Sequence, residues 1–288
     1  MKFTKLETFK LTKEWVASKL PRRPKDANKG TFGKVLVIAG SENYPGAAYL
    51  TCAAAYRVGA GLVTLVTDGE VKIIISRKLP EVTFLSKAEA FQRLTAYDVL
   101  LFGPGLGQKE EVIELVPKLV EKKLPKTVID GDGLNILSKI TKWWEKIEEE
   151  VVLTPHPGEF SRLTKLIIEQ IQADRVNLAR KFASQWNKII VLKGANTTVI
   201  SPSGEVAISP FANPALATAG TGDVLAGIIA GLLAQGLNLF DASCCGVYVH
   251  GLAGEWLREK KGDAGGLASD LLPFIPKVLL HISKYRVS

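Results

Sequence analysis

The runs Lys34 to Ala39 (KVLVIA), Leu62 to Thr67 (LVTLVT), Asp98 to Phe102 (DVLLF), Thr127 to Asp130 (TVID), Val151 to Thr154 (VVLT) and Ile189 to Lys193 (IIVLK) are continuously apolar rather than alternating. A strand with one face in water alternates apolar and polar residues. One without alternation is buried on both faces, which requires helices on each side of a mainly parallel sheet. The segments between the runs supply them: Pro45 and Gly46 open a small-residue helix that reaches Val58, and Gly59-Ala60-Gly61 stops it. The expected fold class is therefore α/β, a three-layer α/β/α sandwich around a mainly parallel central sheet. Thr198 to Ser201 and Val206 to Ser209, separated by Pro202-Ser203-Gly204-Glu205, predict a hairpin near the sheet's edge. With 288 residues, 47% of them hydrophobic, and no repeat or low-complexity linker, one domain over residues 1–288 is expected, carrying a basic N-terminal segment, 1–30.

Five loops follow the carboxyl ends of these strands: Gly40-Ser41, Gly103-Pro104-Gly105-Leu106-Gly107, Asp130-Gly131-Asp132-Gly133, Pro155-His156-Pro157-Gly158-Glu159 and Gly194-Ala195-Asn196. Ligands of open α/β sheets bind at that edge, so the five favour one shared crevice. Asp130, Asp132 and Asn135 could orient hydroxyls or a carboxamide of a ligand, although Asp and Asn in a glycine-rich turn need no function at all. His156 reads either as a structural hydrogen-bonder or as a ligand contact. The GPGLGQ segment lacks the last glycine of a dinucleotide fingerprint and a well-spaced acidic residue, which argues against nicotinamide binding of the Rossmann type.

Asn213 to Gly236 (NPALATAGTGDVLAGIIAGLLAQG) is a glycine-rich loop feeding a helix whose large residues recur at helical spacing. The first amides of a helix have no partner within it and carry the positive end of its dipole, so an anion belongs there. Asp223, in the first turn, is either a charge complement to the dipole or a base beside a phosphate site. Ala226, Gly227, Ala230 and Gly231 suit close packing in the interior, which would set that helix end in a cleft.

Composition excludes other classes. Residues 1–34 hold ten Lys or Arg against Glu7, Glu14 and Asp26, so most of the net charge of +8 lies there. No aromatic-interleaved basic stripe accompanies it, so a solvated basic face, or one attracting a phosphate-rich small molecule, is favoured over nucleic-acid binding. No apolar run approaches a membrane span and no signal-peptide core opens the chain, so a cytoplasmic protein is expected. Cys52, Cys244 and Cys245 have no metal-ligand spacing and read as reduced core residues; His250 reads as core or interface, and His281 lies near the tail. No protein-held metal site and no serine-hydrolase elbow is expected.

KGTFGKVLVIAGS at Lys29 to Ser41, PGAA at Pro45 to Ala48, GPGLG, DGDGLN, LTPHPGEF, VLKGANTTV and AGTGDVLAGIIAGLLAQG, in this order, resemble the ADP- or ATP-dependent NAD(P)H-hydrate dehydratases of the ribokinase-like superfamily. The resemblance covers nearly the whole chain from about residue 20. The Gly-Thr-Gly-Asp box alone would indicate only the superfamily; LTPHPGEF and KGANT are more specific. Bifunctional relatives carry an epimerase domain ahead of this unit, and the expectation here is a stand-alone dehydratase. Many relatives have glycine where this chain has Ala219, a change that leaves the loop's donors in place.

The resemblance implies a ribokinase-like fold and a repair reaction. The enzyme phosphorylates the C6 hydroxyl of hydrated nicotinamide cofactor (NADHX or NADPHX), and loss of phosphate regenerates NADH or NADPH. It implies Asp223 as the base and the amides of Ala219 to Gly222 as the phosphoryl cradle. It places the adenine nucleotide at Lys193, Gly194, Ala195, Asn196, Thr197, Gly220, Thr221 and Gly222, and the hydrated dinucleotide at Ala47, Gly105, Asn135, His156 and Asp223. ADP or ATP would be the phosphoryl donor, with Mg2+ held mostly by its phosphates. A homo-oligomer, a tetramer or larger, is implied as well. A ribokinase-like vitamin kinase, of the hydroxyethylthiazole kinase type, and a non-catalytic nucleotide-binding module are the rival readings. If Asp223 is the base, Asp223→Asn lowers turnover by on the order of 10²-fold or more while the protein stays folded. Steady-state kinetics beside a circular dichroism spectrum check this; near-normal turnover would remove Asp223 from the mechanism.

Overall fold

The computed structural model describes residues 8–147 and 150–286. Its strands are β1 (Thr8–Lys10), β2 (Lys34–Ile38), β3 (Leu62–Val66), β4 (Thr83–Phe84), β5 (Val99–Phe102), β6 (Lys126–Ile129), β7 (Val151–Leu153), β8 (Ile189–Leu192), β9 (Thr198–Ile200) and β10 (Val206–Ile208). They form one sheet in the order β1-β10-β9-β8-β7-β6-β5-β2-β3-β4. Every neighbouring pair is parallel except those made by β9, which runs antiparallel to both β8 and β10. The reason is the length of the connections. Short loops join β8 to β9 and β9 to β10, and a short loop can only reverse the chain, whereas a parallel neighbour needs a crossover.

The continuous apolar runs are buried on both faces, as their lack of alternation requires. In β2, Val35 and Val37 join the core on one side of the sheet while Leu36 and Ile38 join the core on the other. Val99 and Leu101 of β5 divide from Leu100 and Phe102 in the same way. The first core contains helices Pro45–Val58, Thr221–Ala234 and Leu239–Lys261; the second contains Glu110–Val120, Pro157–Thr164 and Arg175–Trp186.

Two strands escaped the sequence reading. β4 is only two residues long and β1 three, too short for any periodicity, and β1 lies in the basic segment read as a solvated face or one attracting a phosphate-rich small molecule. The described part of that segment is built into the fold: β1 pairs with β10, and Leu11, Val16, Ala17 and Leu20 are core residues. The hairpin therefore sits one strand in from the edge. Arg23 stacks on the Phe32 ring, 3.6 Å from its centroid, and donates to the Gly59 carbonyl at the end of the sheet opposite the strand-end loops. The first seven residues, which carry part of the basic segment, lie outside those described.

The small residues of helix Thr221–Ala234 set how closely it approaches helix Pro45–Val58. A Cβ added to Gly227 would stand 2.3 Å from the Thr51 carbonyl oxygen, and one on Gly231 would stand 2.4 Å from Val58 Cγ1. This contact fixes the height at which the glycine-rich loop meets the loop after β2. Overpacking of this kind costs about 1–3 kcal/mol. Gly227→Ala is accordingly expected to lower stability by that amount in urea unfolding, and an unchanged midpoint would show that the two helices are not held in contact here.

Candidate functional site

The five loops singled out in the sequence follow β2, β5, β6, β7 and β8, which are consecutive neighbours in the sheet. Each loop is bonded to the next. Gly40 N donates to Pro104 O (2.8 Å) and Ser41 Oγ to Gly105 O (2.8 Å). Gly107 N donates to Asp132 Oδ2 (2.8 Å), Thr154 Oγ1 to Asp130 Oδ1 (2.7 Å), and Lys193 N to Pro155 O (2.9 Å). Gly103, at φ +122°, makes one of these approaches feasible, because a Cβ there would lie 1.8 Å from Asp130 O. Loops that would each be mobile alone form one crevice floor.

A charge cluster occupies its centre. Lys193 Nζ lies 2.6 Å from Asp130 Oδ1 and 3.6 Å from Glu159 Oε2, and the two carboxylates are nearly inaccessible to solvent. Burial would lower Lys193, but Asp130 and Glu159 more than offset it and its pKa is raised. Burial pushes Glu159 up to about 7 against the pull of Lys193. Asp223 is pushed up to about 7 by burial first and Asp130 next, opposed by Lys193, with Glu159 and Asp132 adding repulsion. A carboxyl held near 7 is poised to take a proton under neutral conditions.

Asp223 stands in the first turn of helix Thr221–Ala234, entered through Gly220 at φ +91°. Thr221 Oγ1 donates to the carbonyls of Leu216 (2.8 Å) and Thr218 (3.0 Å), pinning the loop. The Thr221 amide is itself taken by Thr218 O (3.3 Å), so it is not a free donor. Among the described residues the amides of Ala219, Gly220, Gly222 and Asp223 have no protein partner, so donors suited to an anion remain without Thr221.

Beside this loop opens a cavity of about 440 Å³, lined by Lys193, Gly194, Ala195, Thr197, Thr221 and Gly222 among the residues expected to hold nucleotide. Asn196 is turned to structural use: its Nδ2 donates to Ser209 O (3.0 Å) and its amide to Phe211 O (3.0 Å). Gly220 shapes the turn rather than the wall. Phe211, Leu216 and Val247 give the cavity an apolar side that the sequence reading did not find: Phe211 and Val247 come from a loop and a helix interior without a motif, and Leu216 lies in the glycine-rich stretch without a distinguishing residue type. His250, read as core or interface, is buried and lines the same cavity. Arg175 was also missed; it donates to the carbonyls of Leu192 and Lys193 and so braces the end of β8.

The residues expected to meet the dinucleotide lie on the other side of Lys193. Ala47 and Gly105 adjoin, since a Cβ on Gly105 would be 2.5 Å from that of Ala47. Asn135 is held by Arg162 Nε, which donates to its Oδ1 (2.8 Å), and itself donates to Asp132 Oδ1 (3.3 Å). His156 caps helix Pro157–Thr164: Nδ1 accepts from the amides of Gly158 (3.0 Å) and Glu159 (3.4 Å), and Glu159 Oε2 accepts from the His156 amide (2.8 Å). Nδ1 being an acceptor, the proton sits on Nε2. Burial, then Lys193 and Arg162, lower the His156 pKa, so the ring is neutral at pH 7, with half of its side chain still exposed. Both readings of this histidine, the structural one and the ligand-facing one, are therefore compatible with its position.

Among the described residues no group of three or more His, Cys, Asp or Glu could by itself hold a metal ion, and Cys52, Cys244 and Cys245 are free and buried.

A parallel sheet whose strand-end loops meet a glycine-rich helix N-terminus and a buried carboxylate defines the arrangement here, and the fold is similar to that of a ribokinase-like superfamily protein from Enterococcus faecalis (30% identity, TM-score 0.85, 97% of this chain and 96% of that one). A sequence profile described as NAD(P)H-hydrate dehydratase matches residues 35–277, and the chain belongs to that family. It is 40% identical to the bifunctional NAD(P)H-hydrate repair enzyme Nnr of Moorella thermoacetica over 95% of its own length, though it spans about half of that relative (54%). It also resembles the ADP/ATP-dependent NAD(P)H-hydrate dehydratase of Bacillus subtilis, co-crystallised with ATP/Mg2+ (34% identity, TM-score 0.86, 94% of this chain and 97% of that one).

The raised carboxyl at Asp223 has a consequence for stability. Its pKa is ordinary in the unfolded chain and about 7 in the folded one, so between roughly pH 4 and 7 the folded state binds more protons. That contribution to stability is complete at low pH and is lost as pH rises through 7. Asp223→Asn removes the loss. In ligand- and magnesium-free protein its melting temperature should gain more on wild type at pH 8 than at pH 5, and an equal difference at both pH values would contradict the buried, raised carboxyl.

Proposed function

We propose that this protein is a nucleotide-dependent NAD(P)H-hydrate dehydratase. The reaction moves the terminal phosphoryl group of ADP or ATP onto the C6 hydroxyl of NADHX or NADPHX. The phosphate then departs with the electrons of the C6–O bond, and loss of a proton from the ring restores the reduced nicotinamide. Hydroxide leaves poorly and phosphate leaves well, which is what the phosphoanhydride contributes. The observation that carries this reading is the position of Asp223. It is buried, held near neutrality, and set at the mouth of an amide cradle, with the cavity on one side of Lys193 and the Ala47, Gly105, Asn135 and His156 group on the other.

In this scheme Asp223 takes the hydroxyl proton, and the free amides of the glycine-rich loop hold the transferring phosphoryl oxygens. Lys193 neutralises phosphate charge, and the nucleotide lies in the cavity along Lys193 to Thr197. Asp130, Asp132, Glu159 and Asp223 outnumber Lys193 around the site, so magnesium brought by the nucleotide would relieve repulsion between these carboxyl groups and the phosphates. Magnesium retains several waters and a few anionic ligands, so the phosphates and water would carry it, while Asp130 and Glu159, buried against Lys193, would act on it only through their charge. When bound, the ion would offset charge on the phosphates.

A vitamin kinase would share Asp223 and the cradle but stop at the phosphorylated alcohol. NADHX and NADPHX offered with ADP or ATP and Mg2+ decide between them: the absorbance of reduced nicotinamide should return, and its failure to return with every combination would refute the dehydratase. ADP is the donor we favour. A single domain, a cytoplasmic setting and a homo-oligomer belong to the same reading. Supporting it, no described helix is long and apolar enough to cross a membrane, and Ile73 and Ile74 are exposed apolar residues of one helix.

His156 permits a separation of roles. Asparagine is also a good helix cap, so His156→Asn keeps the start of helix Pro157–Thr164 but removes Nε2. We expect melting temperature and ADP affinity to hold while affinity for NADHX or NADPHX falls about two- to tenfold, the worth of one neutral hydrogen bond. Unchanged substrate affinity, measured by calorimetry, would leave His156 a cap alone.

A further inference from the structure

His250 projects from helix Leu239–Lys261 beneath the glycine-rich loop, and nothing in the reaction scheme uses it. Its Nε2 lies 2.9 Å from the carbonyl oxygen of Thr221. A carbonyl can only accept, so Nε2 carries the proton and donates, and the neutral ring's Nδ1 is left as an acceptor. Among the described residues Nδ1 has no protein partner. The residue is 8% exposed and lines the cavity, so what remains accessible of the ring opens there.

The surroundings order the cavity. On one side of His250 is the first turn of helix Thr221–Ala234, with the unpartnered amide of Gly222. On the other is Phe211, whose ring packs on the helix at Gly251, where a Cβ would stand 2.3 Å from Phe211 Cδ2. Amides suit phosphate and an aromatic wall suits a base; an acceptor between them faces what joins the two. We propose that His250 is a nucleotide-binding residue whose Nε2 holds the anion loop through Thr221 O and whose Nδ1 accepts a hydrogen bond from a ribose hydroxyl of the adenine nucleotide. The proposal rests on the reading that this cavity takes the nucleotide. Burial supports the required protonation state, since it pushes the imidazole down to about 4 and keeps the ring neutral.

Glutamine separates the two roles. Its terminal amide can still donate to Thr221 O, but it offers no acceptor where Nδ1 stands. Calorimetry with ADP, 2′-deoxy-ADP and 3′-deoxy-ADP on wild type and His250→Gln forms a double-mutant cycle. In wild type, loss of the hydroxyl that meets Nδ1 should weaken binding about two- to tenfold. In His250→Gln, ADP should bind that much more weakly, the deoxy penalty should vanish, and the melting temperature should hold. Equal binding of all three nucleotides to wild type overturns the proposal without recourse to any variant, as does a deoxy penalty that survives undiminished in His250→Gln. If wild type binds none of them with or without magnesium, the nucleotide reading of the cavity falls too, so the two failures are distinguishable.

Discussion

Lys193 follows β8 with its ammonium 2.6 Å from Asp130, which follows β6, so the ion pair spans the intervening strand β7. Glu159, in the helix that starts after β7, closes the cluster from the third side at 3.6 Å. Three neighbouring strand ends are therefore tied by one cation. Such a pair is costly to bury but more costly to break, since removing one partner leaves a buried charge uncompensated, at about 3–5 kcal/mol. The crevice depends on it twice over. It fixes the spacing of the loops, and it supplies the positive charge against which Asp223 and Glu159 are balanced.

That balance has an upstream cause in packing. The helix that carries Asp223 reaches the crevice only because glycines let it lie against helix Pro45–Val58, with the Thr51 and Ala55 carbonyls at its surface. A helix with larger residues on that face would have to stand farther out, and the burial that raises the Asp223 carboxyl would be reduced. Small residues in the interior thus become an electrostatic property of the site. The Gly-Thr-Gly-Asp box gives the donors and the acid; Gly227 and Gly231 determine where they are held.

Most of the framework was legible because burial on both faces leaves a mark on sequence. β2, β3, β5, β6, β7 and β8 lie within a residue or so of their apolar runs, and the five loops after them were visible as glycine and polar punctuation. β1 and β4 were not, since two or three residues carry no period and their pairing comes from the sheet they join. Asp223 and the glycines stood out because a carboxylate in a first helical turn and close backbone approach call for particular residue types, whereas Lys193 entered only through the resemblance of its KGANT segment. Arg175, Phe211 and His250 did not, because an arginine bracing two carbonyls or a phenylalanine walling a cavity has no characteristic neighbours in sequence.

His156 shows where a residue's type and its role part company. The sequence offered two exclusive readings, a structural hydrogen-bonder or a ligand contact, but an imidazole has two nitrogens that can serve different masters. Nδ1 accepts the amides of Gly158 and Glu159, and this fixes the tautomer that puts a proton on Nε2, which lies 3.4 Å from Glu159 Oε1 in a half-exposed side chain. The structural bond thereby prepares the other nitrogen as a donor, and burial first, then neighbouring Lys193 and Arg162, disfavour a second proton on the ring. His250 divides its nitrogens the opposite way, donating inward through Nε2 and leaving an acceptor free. The two histidines on either side of Lys193 thus present opposite hydrogen-bonding polarity to the crevice, each set by one bond to the backbone.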